Sequence, residues 1–488
     1  MRICPDANTF GCLAQKHDLI AIHTDISTDI DTPISLYRKL VGDNQGFMLE
    51  SAEADKRFGR YSFIGTLPLV TIVSYPEHSD VTLEGTHFVL REKPLSALKK
   101  TMQRFSFYGL DHLPFFSGGA VGYFAYESVG TWERVKGMNL DESTILAEFM
   151  ICQVMAVMDH LTHSATLIYV AKINHEEDVQ GQYDQAVSAL QSWKEKLSGP
   201  AVMPEAASQK ANPSLLTWDE KKKEKFIQKV EAAKEYIKAG DIFQVVLSEA
   251  FQGKLPNHPF SLYRRLRRKN PSPYMFYLDF GKRKLVGASP EMLVKAAQKK
   301  AYTYPIAGTR PRGKTKEEDE ALAVELLADT KELAEHAMLV DLGRNDIGRI
   351  SLPGTVDVVK MMQIEKFSHV MHIVSEVNGQ IHPDYDAFDV LSACFPAGTV
   401  SGAPKIRAME IINELEAARR GPYAGAVGYF DFSGNMDVCI TIRTFMIDGE
   451  DVTVQAGAGI VADSVPEKEF QEILHKAGIL FQVLTGDE

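Results

Sequence analysis

The stretch QAGAGIVADSVPEKEFQEILHKAGIL, residues 455–480, decides the fold because it predicts a glycine-rich strand that leads directly into a helix. The alternation of apolar and polar residues before and within QAGAGIVA is typical of an antiparallel strand with one covered face. Ser464 and Glu467 have the spacing of a capping box, and Pro466 suits the first turn. The predicted helix has an apolar face made of Phe470, Ile473, Leu474 and Ala477.

Glutamates flank this apolar face and recur on a second predicted helix. Glu469 and Glu472 are three residues apart, as are Glu332 and Glu335 in DTKELAEHAMLVDLGRND, residues 329–346. Spacing of three places each pair on one helix face. If the helices meet, four carboxylates converge, and hard oxygen ligands of this kind suit Mg²⁺. The alternative is a pair of solvated helix faces, which spacing alone would favour.

The residues around these glutamates favour a binding site. Gly457 and Gly459 allow backbone N–H groups to approach a carboxylate closely. Arg443, in the strand-like CITIRT, is a suitable bidentate partner for a carboxylate. The turn-rich FPAGTVSGAPK, residues 395–405, adds Thr399. Taken singly, each could be a turn or a surface cation, so the prediction rests on their combination.

Further strand-like runs predict an α+β fold built on antiparallel sheets. YMFYLDF, AGAVGYFDFSG and MDVCITIRTFMI alternate apolar and polar residues, and several predicted helices lie between such runs. The hexapeptide GAVGYF occurs at 119–124 and again at 425–430. We interpret this repeat as a sign of duplicated architecture, the alternative being coincidence between two glycine-rich strands. No dinucleotide-binding or P-loop spacing is present.

One segment predicts a boundary between two regions. Residues 198–214, SGPAVMPEAASQKANPS, are rich in Pro, Ala and Ser and carry no helical or strand period. We therefore expect a linker at 198–217. It would separate an N-terminal regulatory or structural region, 1–197, from a catalytic region, 218–488.

Composition narrows the class of protein. The chain has 488 residues, with 65 acidic and 53 Lys or Arg side chains, for a formal charge of -12. An acidic chain without a basic run is a poor candidate for nucleic-acid binding. Five cysteines, an odd number without a CxxC pair, argue against a disulfide scaffold or structural zinc and fit a reducing cytoplasm. We find no secretory signal and no apolar run long enough for a membrane helix.

Several motifs together resemble one family, the chorismate-utilising enzymes. They are PIAGTRPRG (305–313), KELAEHAMLVDLGRNDIGR (331–349), SHVMH (368–372), FPAGTVSGAPK (395–405), GPYAGAVGYF (421–430) and QAGAGIVADSVPEKEFQE (455–472). The resemblance runs through nearly all of 218–485, in the family's order. LESAEADKRFGRYSFIG, residues 49–65, is similar to the start of the amino-transferring members. The fold implied is a four-layer α/β/β/α sandwich of two antiparallel sheets with helices outside.

The resemblance also implies roles for individual residues. Glu335 and Glu472 would bind Mg²⁺ directly, and Glu332 and Glu469 through water. The substrate, chorismate, has two carboxylates, one held by the metal and the other by fixed donors. The implied substrate-binding residues are Gly308, Thr309, Tyr423, Arg443, Gly457, Gly459 and Lys476.

Three residues are implied in the chemistry, namely His372, Glu291 and Thr399. Glu291 resembles the family's general acid for departure of the ring hydroxyl. A carboxyl group is a useful acid near neutral pH only when burial raises its pKa, so we expect Glu291 to be buried. His372 resembles the residue needed for the elimination of pyruvate, although it could equally be a core histidine.

Two positions bear on which reaction the chain performs. Ala307 stands where aminodeoxychorismate-forming members commonly have a nucleophilic lysine. Gln244 stands where isochorismate- and salicylate-forming members have a lysine that activates water. Both differences leave ammonia as the attacking species and imply an anthranilate-forming enzyme. The alternatives are an aminodeoxychorismate-forming enzyme without its lysine, and a non-catalytic sensor, which would have no need of the glutamates.

Regulation and a partner are also implied. MLES at 48–51 and NPSPYM at 270–275 match the family's tryptophan-inhibitor segments. We expect tryptophan to contact Glu50, Ser51, Pro273, Tyr274 and Met275, the alternative being a buried turn between strands. No G-x-C-x-G elbow surrounds any cysteine, so ammonia must come from solution or from a separate glutamine amidotransferase subunit in a heteromeric complex.

Overall fold

The computed structural model describes residues 3–52, 59–110, 116–138, 140–204, 219–367, 370–416 and 418–486. The helices of this part of the chain, α1 to α11, are Ala7–Ala14, Pro33–Leu40, Pro94–Met102, Val179–Ser198, Glu220–Lys238, Pro259–Lys269, Lys316–Ala328, Thr330–Gly348, Ala387–Cys394, Lys405–Leu415 and Pro466–Thr485. The strands β1 to β11 are Leu19–Ser27, Gly46–Glu50, Tyr61–Ser74, Ser79–Leu83, Thr86–Leu90, Phe107–Tyr108, Gly119–Phe124, Ala147–Asp159, Ser164–Lys172, Gln244–Lys254 and Tyr274–Asp279. The strands β12 to β22 are Arg283–Ser289, Met292–Ala297, Lys300–Thr303, Ile306–Pro311, Asp357–Lys366, Val370–Gln380, Gly402–Ala403, Ala426–Asp431, Met436–Ile440, Thr444–Asp448 and Asp451–Ile460.

Two long strands, β3 and β8, belong to both sheets of the molecule. Their antiparallel pairing shifts register between Pro68 and Val70, and each half of the pair has different neighbours. The first sheet has the order β6–β1–β9–β8–β3–β2–β11–β12–β21–β22–β10–β18. The second has the order β5–β4–β3–β8–β7–β19–β20–β13–β14–β17, and β17 also pairs with β15 and β16. These pairings are antiparallel except for β1–β6, so the expected α+β class with two antiparallel sheets is confirmed.

The register shift in β3 has a local cause. Pro68 lacks the N–H group that a strand interior needs, and Leu67 before it has φ of +56°. Such irregularities bend a strand and increase its twist. The bend lets β3 pass from one sheet into the other.

The two GAVGYF copies pair with each other. β7 and β19 run antiparallel with Gly122 opposite Gly428, so the copies are related by a local twofold axis. A Cβ on either glycine would lie 2.0 Å from a backbone carbonyl of the neighbouring strand, Glu148 or Asp437. The repeat therefore marks equivalent strands of two halves, as the sequence predicted.

Helices pack against both sheets. Helix α11 contacts β22, α5 and α6, and it buries Phe470, Ile473 and Ala477 of the predicted apolar face. The predicted capping box at Ser464 is wrong: the helix begins at Pro466 after Val465, which makes no side-chain cap. Ser464 instead accepts a hydrogen bond from the Val461 N–H at 3.0 Å, because its hydroxyl closes the turn that follows β22.

The regions before and after the expected linker share both sheets. β2 pairs with β11 in the first sheet, and β7 pairs with β19 in the second. Within the expected linker, 205–217 lie outside the described residues; helix α4 ends at Ser198 and α5 begins at Glu220. The five cysteines, all in described positions, are free. No helix in the described part of the chain is long and apolar enough to cross a membrane.

Candidate active site

Glu291 lies between β12 and β13 at the edge of a pocket that also contains Thr399. The Thr399 hydroxyl donates a hydrogen bond to its carboxylate at 3.0 Å. Removal from water raises the pKa of Glu291 to about 7, against the opposing effects of Thr399 and of the positive charges on Lys476 and Arg443. The residue as a whole is half-buried. A carboxyl group in this state can donate a proton near neutral pH.

His372 lies on β17, and its hydrogen bonds define which ring nitrogen carries the proton. Nδ1 is 2.9 Å from the Gly308 carbonyl oxygen and 3.1 Å from the Thr309 hydroxyl. Because a carbonyl accepts but cannot donate, Nδ1 carries the hydrogen and Nε2 is the basic nitrogen. Burial, together with the charge of Arg443, lowers the pKa of His372 despite the bond to Gly308. The ring is therefore a neutral base at neutral pH.

A bulge in β15 brings these groups to the glutamates of helix α8. Register shifts between Ala307 and Thr309, and Gly308 between them has φ of +68°. A Cβ at Gly308 would lie 3.2 Å from Glu332 Oε2. Glycine at this position thus allows the left-handed turn and the close approach of Glu332.

The start of helix α8 is held in place by side chains. Asp329 is its N-cap and accepts from the N–H groups of Lys331 and Glu332. Arg310 of β15 pairs with Asp329 at 3.0 Å and approaches Glu332 at 3.6 Å. The glutamate face of α8 therefore has a fixed orientation relative to β15.

The glutamates of α8 and α11 influence one another. Burial raises the pKa of Glu335, and the charges of Glu332 and Glu472 raise it further. Burial also raises the pKa of Glu469, with a contribution from Glu472. Glu472 is paired with Lys476 at 2.7 Å. The glutamates of the two helices are therefore close enough to affect one another's charge.

These carboxylates do not form a preassembled cage. Among the residues that the structure describes, no three His, Cys, Asp or Glu side chains are close enough together to hold a metal ion. Mg²⁺ takes one or two protein carboxylates and retains several waters, so the donor chemistry fits this ion without a closed cage.

Two of the donors predicted for an anion, Lys476 and Arg443, lie close enough to Glu291 to lower its pKa. Arg443 joins β20 to β21 with φ of +50°, a strained value for a residue with a side chain. Lys476 Nζ donates to the Gly457 carbonyl at 3.0 Å. A Cβ at Gly457 would lie 2.7 Å from the Tyr423 hydroxyl, and one at Gly459 would lie 2.6 Å from Gln244 Nε2. Both glycines therefore let side chains pack directly on the strand backbone.

The structure also locates the two residues that bear on the nucleophile. Ala307 is buried on β15, opposite Ile373 of β17, and Gln244 is buried at the start of β10, beside Gly459. Neither side chain has a nucleophilic or basic atom. Both positions adjoin residues predicted to bind substrate.

The segments predicted to bind an inhibitor lie side by side in the first sheet. Glu50 is opposite Met275 in the β2–β11 pair, and the Ala52 N–H donates to the Ser272 carbonyl at 3.1 Å. The Glu50 side chain is 0% exposed and accepts from Arg267 at 2.6 and 3.1 Å.

The other polar groups of this region differ in how they are satisfied. Tyr263 also donates a hydrogen bond to Glu50, so the carboxylate that we expected to contact tryptophan is already paired. Tyr274 donates to Asp437 at 3.0 Å, and Pro273 before it is half-buried. The Ser51 hydroxyl is buried and has no hydrogen-bond partner within the described ranges.

Sequence reasoning missed a buried pair behind the site, Glu416 and Arg420. Their spacing of four is that of an exposed helical ion pair, the one signal available in the sequence. Helix α10 ends at Leu415, however, so both residues follow the helix and turn inward. Burial of this kind is a tertiary effect that spacing does not predict.

Comparison with known proteins is consistent with this geometry. Residues 46–482 match the family model described as chorismate binding enzyme. The chain is 43% identical to "Anthranilate synthase component 1" of Acetivibrio thermocellus, with 98% of each chain covered. It is 45% identical to the protein of the same name from Aquifex aeolicus, with 97% of this chain and 96% of the relative covered.

Solved structures show the same architecture. Anthranilate synthase component I from Streptococcus pneumoniae superimposes with a TM-score of 0.72 at 37% identity, covering 87% of this chain and 92% of that one. The menaquinone-specific isochorismate synthase from Escherichia coli gives a TM-score of 0.70 at 21% identity, covering 98% and 100%. The second likeness bears on the fold alone.

Proposed function

The chain belongs to the family of chorismate binding enzymes, and we propose that it is the large subunit of an anthranilate synthase. In this reaction chorismate and ammonia give anthranilate, pyruvate and water, the first step of tryptophan biosynthesis. The observation that carries the proposal is the similarity, over nearly the whole chain, to relatives named anthranilate synthase component 1.

We infer that the ring carboxylate of chorismate binds beside the glutamate surface. Glu335 and Glu472 would hold Mg²⁺ directly, with Glu332 and Glu469 acting through water. The bound ion would neutralise the carboxylate and polarise the ring as a Lewis acid. Burial raises the pKa values of Glu335 and Glu469, and repulsion from neighbouring glutamates raises them further; this repulsion supports a cation at this surface.

We assign the enolpyruvyl carboxylate to the donors on the other side. Arg443 and Lys476 would supply positive charge, and Tyr423 and the backbone at Gly457 and Gly459 would supply hydrogen bonds. Lys476 is held next to this backbone by its bond to the Gly457 carbonyl. Gly308 and Thr309 would line the ring near His372.

Ammonia would attack the ring carbon beside the carboxylate while the ring hydroxyl leaves by allylic displacement. Glu291, protonated below a pKa of about 7 and hydrogen-bonded to Thr399, would donate the proton that lets the hydroxyl depart as water. Nε2 of His372 would then remove the proton from the aminated carbon. The electrons of that C–H bond form the aromatic ring as the enolpyruvyl group leaves and becomes pyruvate.

The side chains of Ala307 and Gln244 support ammonia as the nucleophile. Ala307 cannot form a covalent adduct with the ring, and Gln244 cannot act as a base toward water. "Component 1" in the relatives' names fits a second subunit, which we propose is a glutamine amidotransferase that supplies ammonia.

We further propose inhibition by tryptophan bound at Glu50, Ser51, Pro273, Tyr274 and Met275. The N-terminal region 1–197 would be the regulatory part and 218–488 the catalytic part.

One assay tests the proposed reaction. The purified chain is incubated with chorismate, MgCl₂ and an ammonium salt, and fluorescence of anthranilate and release of pyruvate are followed together. We expect equal amounts of both products, and loss of both with EDTA. A non-aromatic amino product without pyruvate would instead identify an aminodeoxychorismate synthase, and no product at all would contradict both functions.

A further inference from the structure

Arg420 is buried behind the candidate active site, with 2% of its surface exposed. Its Nη1 donates to the Val400 carbonyl and its Nη2 to the Val246 carbonyl, each at 2.7 Å. Val400 follows Thr399, and Val246 lies two residues after Gln244. One guanidinium therefore connects the loop that carries Thr399 to strand β10.

The charge of Arg420 is balanced by Glu416, which accepts from its Nε at 2.8 Å and its Nη2 at 2.7 Å. Glu416 also accepts from the Ser248 N–H at 2.7 Å, which adds a further tie to β10. The guanidinium lies over the Tyr423 ring, 5.8 Å from its centroid. A planar, five-donor group can make these contacts at once, whereas an ammonium cannot.

Glu127 comes from the N-terminal region and fixes the backbone of the same segment. Its carboxylate accepts from the Arg420 N–H at 2.6 Å and from the Gly421 N–H at 3.0 Å. The Tyr126 N–H donates to the Gly421 carbonyl at 2.8 Å. Burial raises the pKa of Glu127, but these backbone N–H groups oppose the effect and compensate the carboxylate.

The segment held in this way carries Tyr423, whose hydroxyl packs on Gly457. Gly421 has φ of +58°, and the chain then turns through Pro422 to Tyr423 and into β19. Glu127 follows the first GAVGYF copy, and Arg420 precedes the second. The N-terminal half thus supplies the acceptor that fixes a substrate-binding loop of the C-terminal half.

We propose that Glu127 and Arg420 are positioning residues for substrate binding, which hold Tyr423 and the Thr399 loop in place without touching the substrate. The inference rests on the proposed function for its kinetic part alone. The buried ion pair of Arg420 with Glu416 is weak support for stability, because desolvation offsets its attraction. The other contacts of Arg420 and those of Glu127 run to the backbone of three site-forming segments, which is the arrangement expected of groups that fix geometry.

Hydrogen exchange of the substrate-free chain tests the anchoring directly. Glu127→Gln removes the charge and one of two acceptor oxygens while keeping the shape. Exchange of the Arg420 and Gly421 amides is expected to accelerate about tenfold, the effect of losing one charge-assisted hydrogen bond. The matched control is Glu148→Gln. Glu148 lies on β8, next to β7, and is another buried carboxylate, paired with Arg283 at 2.7 Å. This control is expected to leave the two amides unchanged.

A double-mutant cycle then tests positioning. In the ammonia-dependent assay, Glu127→Gln is expected to raise KM for chorismate about tenfold while kcat changes less than about threefold. In a Tyr423→Phe background the same change is expected to raise KM by less than about threefold, because the group being positioned is already gone. Glu148→Gln is expected to have the same effect in both backgrounds.

Unchanged exchange at Arg420 and Gly421, or a full-size KM effect of Glu127→Gln in the Tyr423→Phe background, would overturn the proposal. If Glu127→Gln does not fold, Arg420→Lys, which keeps the charge but loses the planar fork, is read in the same two assays. Failure of the wild-type chain to form anthranilate would contradict the proposed function and leave the exchange result interpretable.

Discussion

The candidate active site and the candidate inhibitor site differ in how the charge of their carboxylates is compensated. At the candidate active site, Glu291, Glu335 and Glu469 all have raised pKa values, and the glutamates of two helices oppose one another. At the candidate inhibitor site, Glu50 is enclosed by Arg267 and Tyr263. The carboxylates of the first site are buried without full compensation, a cost that a cation or a proton would relieve, whereas the carboxylate of the second is paired with Arg267.

This difference indicates which ligand each of the two sites suits. Buried carboxylates that repel one another suit a metal ion, and a carboxyl group whose pKa is raised by burial suits an acid catalyst. A neutralised carboxylate contributes mainly to the shape of its surroundings, so a ligand there must find other partners. The Ser51 hydroxyl, which has no hydrogen-bond partner among the residues described, offers one.

The largest expected effect tests His372, the base of the candidate active site. His372→Met is expected to lower anthranilate formation about 10²- to 10⁴-fold, because no other group is assigned to remove the ring proton. A non-aromatic aminated intermediate should accumulate and be visible by chromatography. His382→Met is the control, because His382 lies just after β17 and its ring accepts a hydrogen bond from the Asp384 N–H at 3.3 Å. A His372→Met enzyme that released anthranilate at full rate would refute this role.

The next effect tests whether the opposing glutamates hold a cation. Glu335→Gln is expected to weaken Mg²⁺ binding about 100-fold and Glu332→Gln about tenfold, reflecting direct and water-mediated contact. Calorimetric titration with Mg²⁺, alongside the activity, measures both. Glu325→Gln, which removes another partner of Arg310, is expected to change neither. Equal losses for all three variants would contradict the assignment.

A smaller effect concerns the protonation of Glu291. Because its raised pKa is about 7 and the protonated form is the donor, kcat is expected to fall about tenfold per pH unit above that value at constant free ammonia. Thr399→Val removes a hydrogen bond that lowers this pKa, so the falling limb should move to higher pH. If the falling limb does not move, it does not report the ionisation of Glu291.

The smallest expected effect concerns the candidate inhibitor site. Ser51→Ala removes a buried hydroxyl that has no partner in the described structure, so thermal stability should hardly change. Tryptophan binding should weaken by about threefold to tenfold, the contribution of one hydrogen bond. Isothermal titration measures it. Unchanged affinity would remove Ser51 from the site, and no binding to the wild-type chain at millimolar tryptophan would contradict the site as a whole.

Much of the fold and of the candidate active site could be predicted from the sequence, because the patterns that indicate them lie within short segments of the chain. The spacing of glutamates on α8 and α11 placed them on shared faces, and the GAVGYF repeat marked equivalent strands. The expected desolvation of Glu291 is confirmed in the direction of its pKa. Motif resemblance supplied the roles that spacing could not.

The remaining features depend on long-range contacts. Nothing in the residues near Glu50 indicates that Arg267 occupies its carboxylate, because the two are brought together by α6 and β2. The capping of α11 could not be predicted because the turn after β22 uses the Ser464 hydroxyl. Glu127 and Arg420 are almost 300 residues apart, and their contact exists because the two hexapeptides pair.

The sharing of β3 and β8 between the sheets has a consequence for dissection of the chain. A polypeptide ending before residue 205 would contain both long strands but would leave open the edges of β2 and β7, which pair with β11 and β19 in the intact chain. Open strand edges associate indiscriminately. Two fragments divided at this point should therefore aggregate when produced separately and complement each other when produced together.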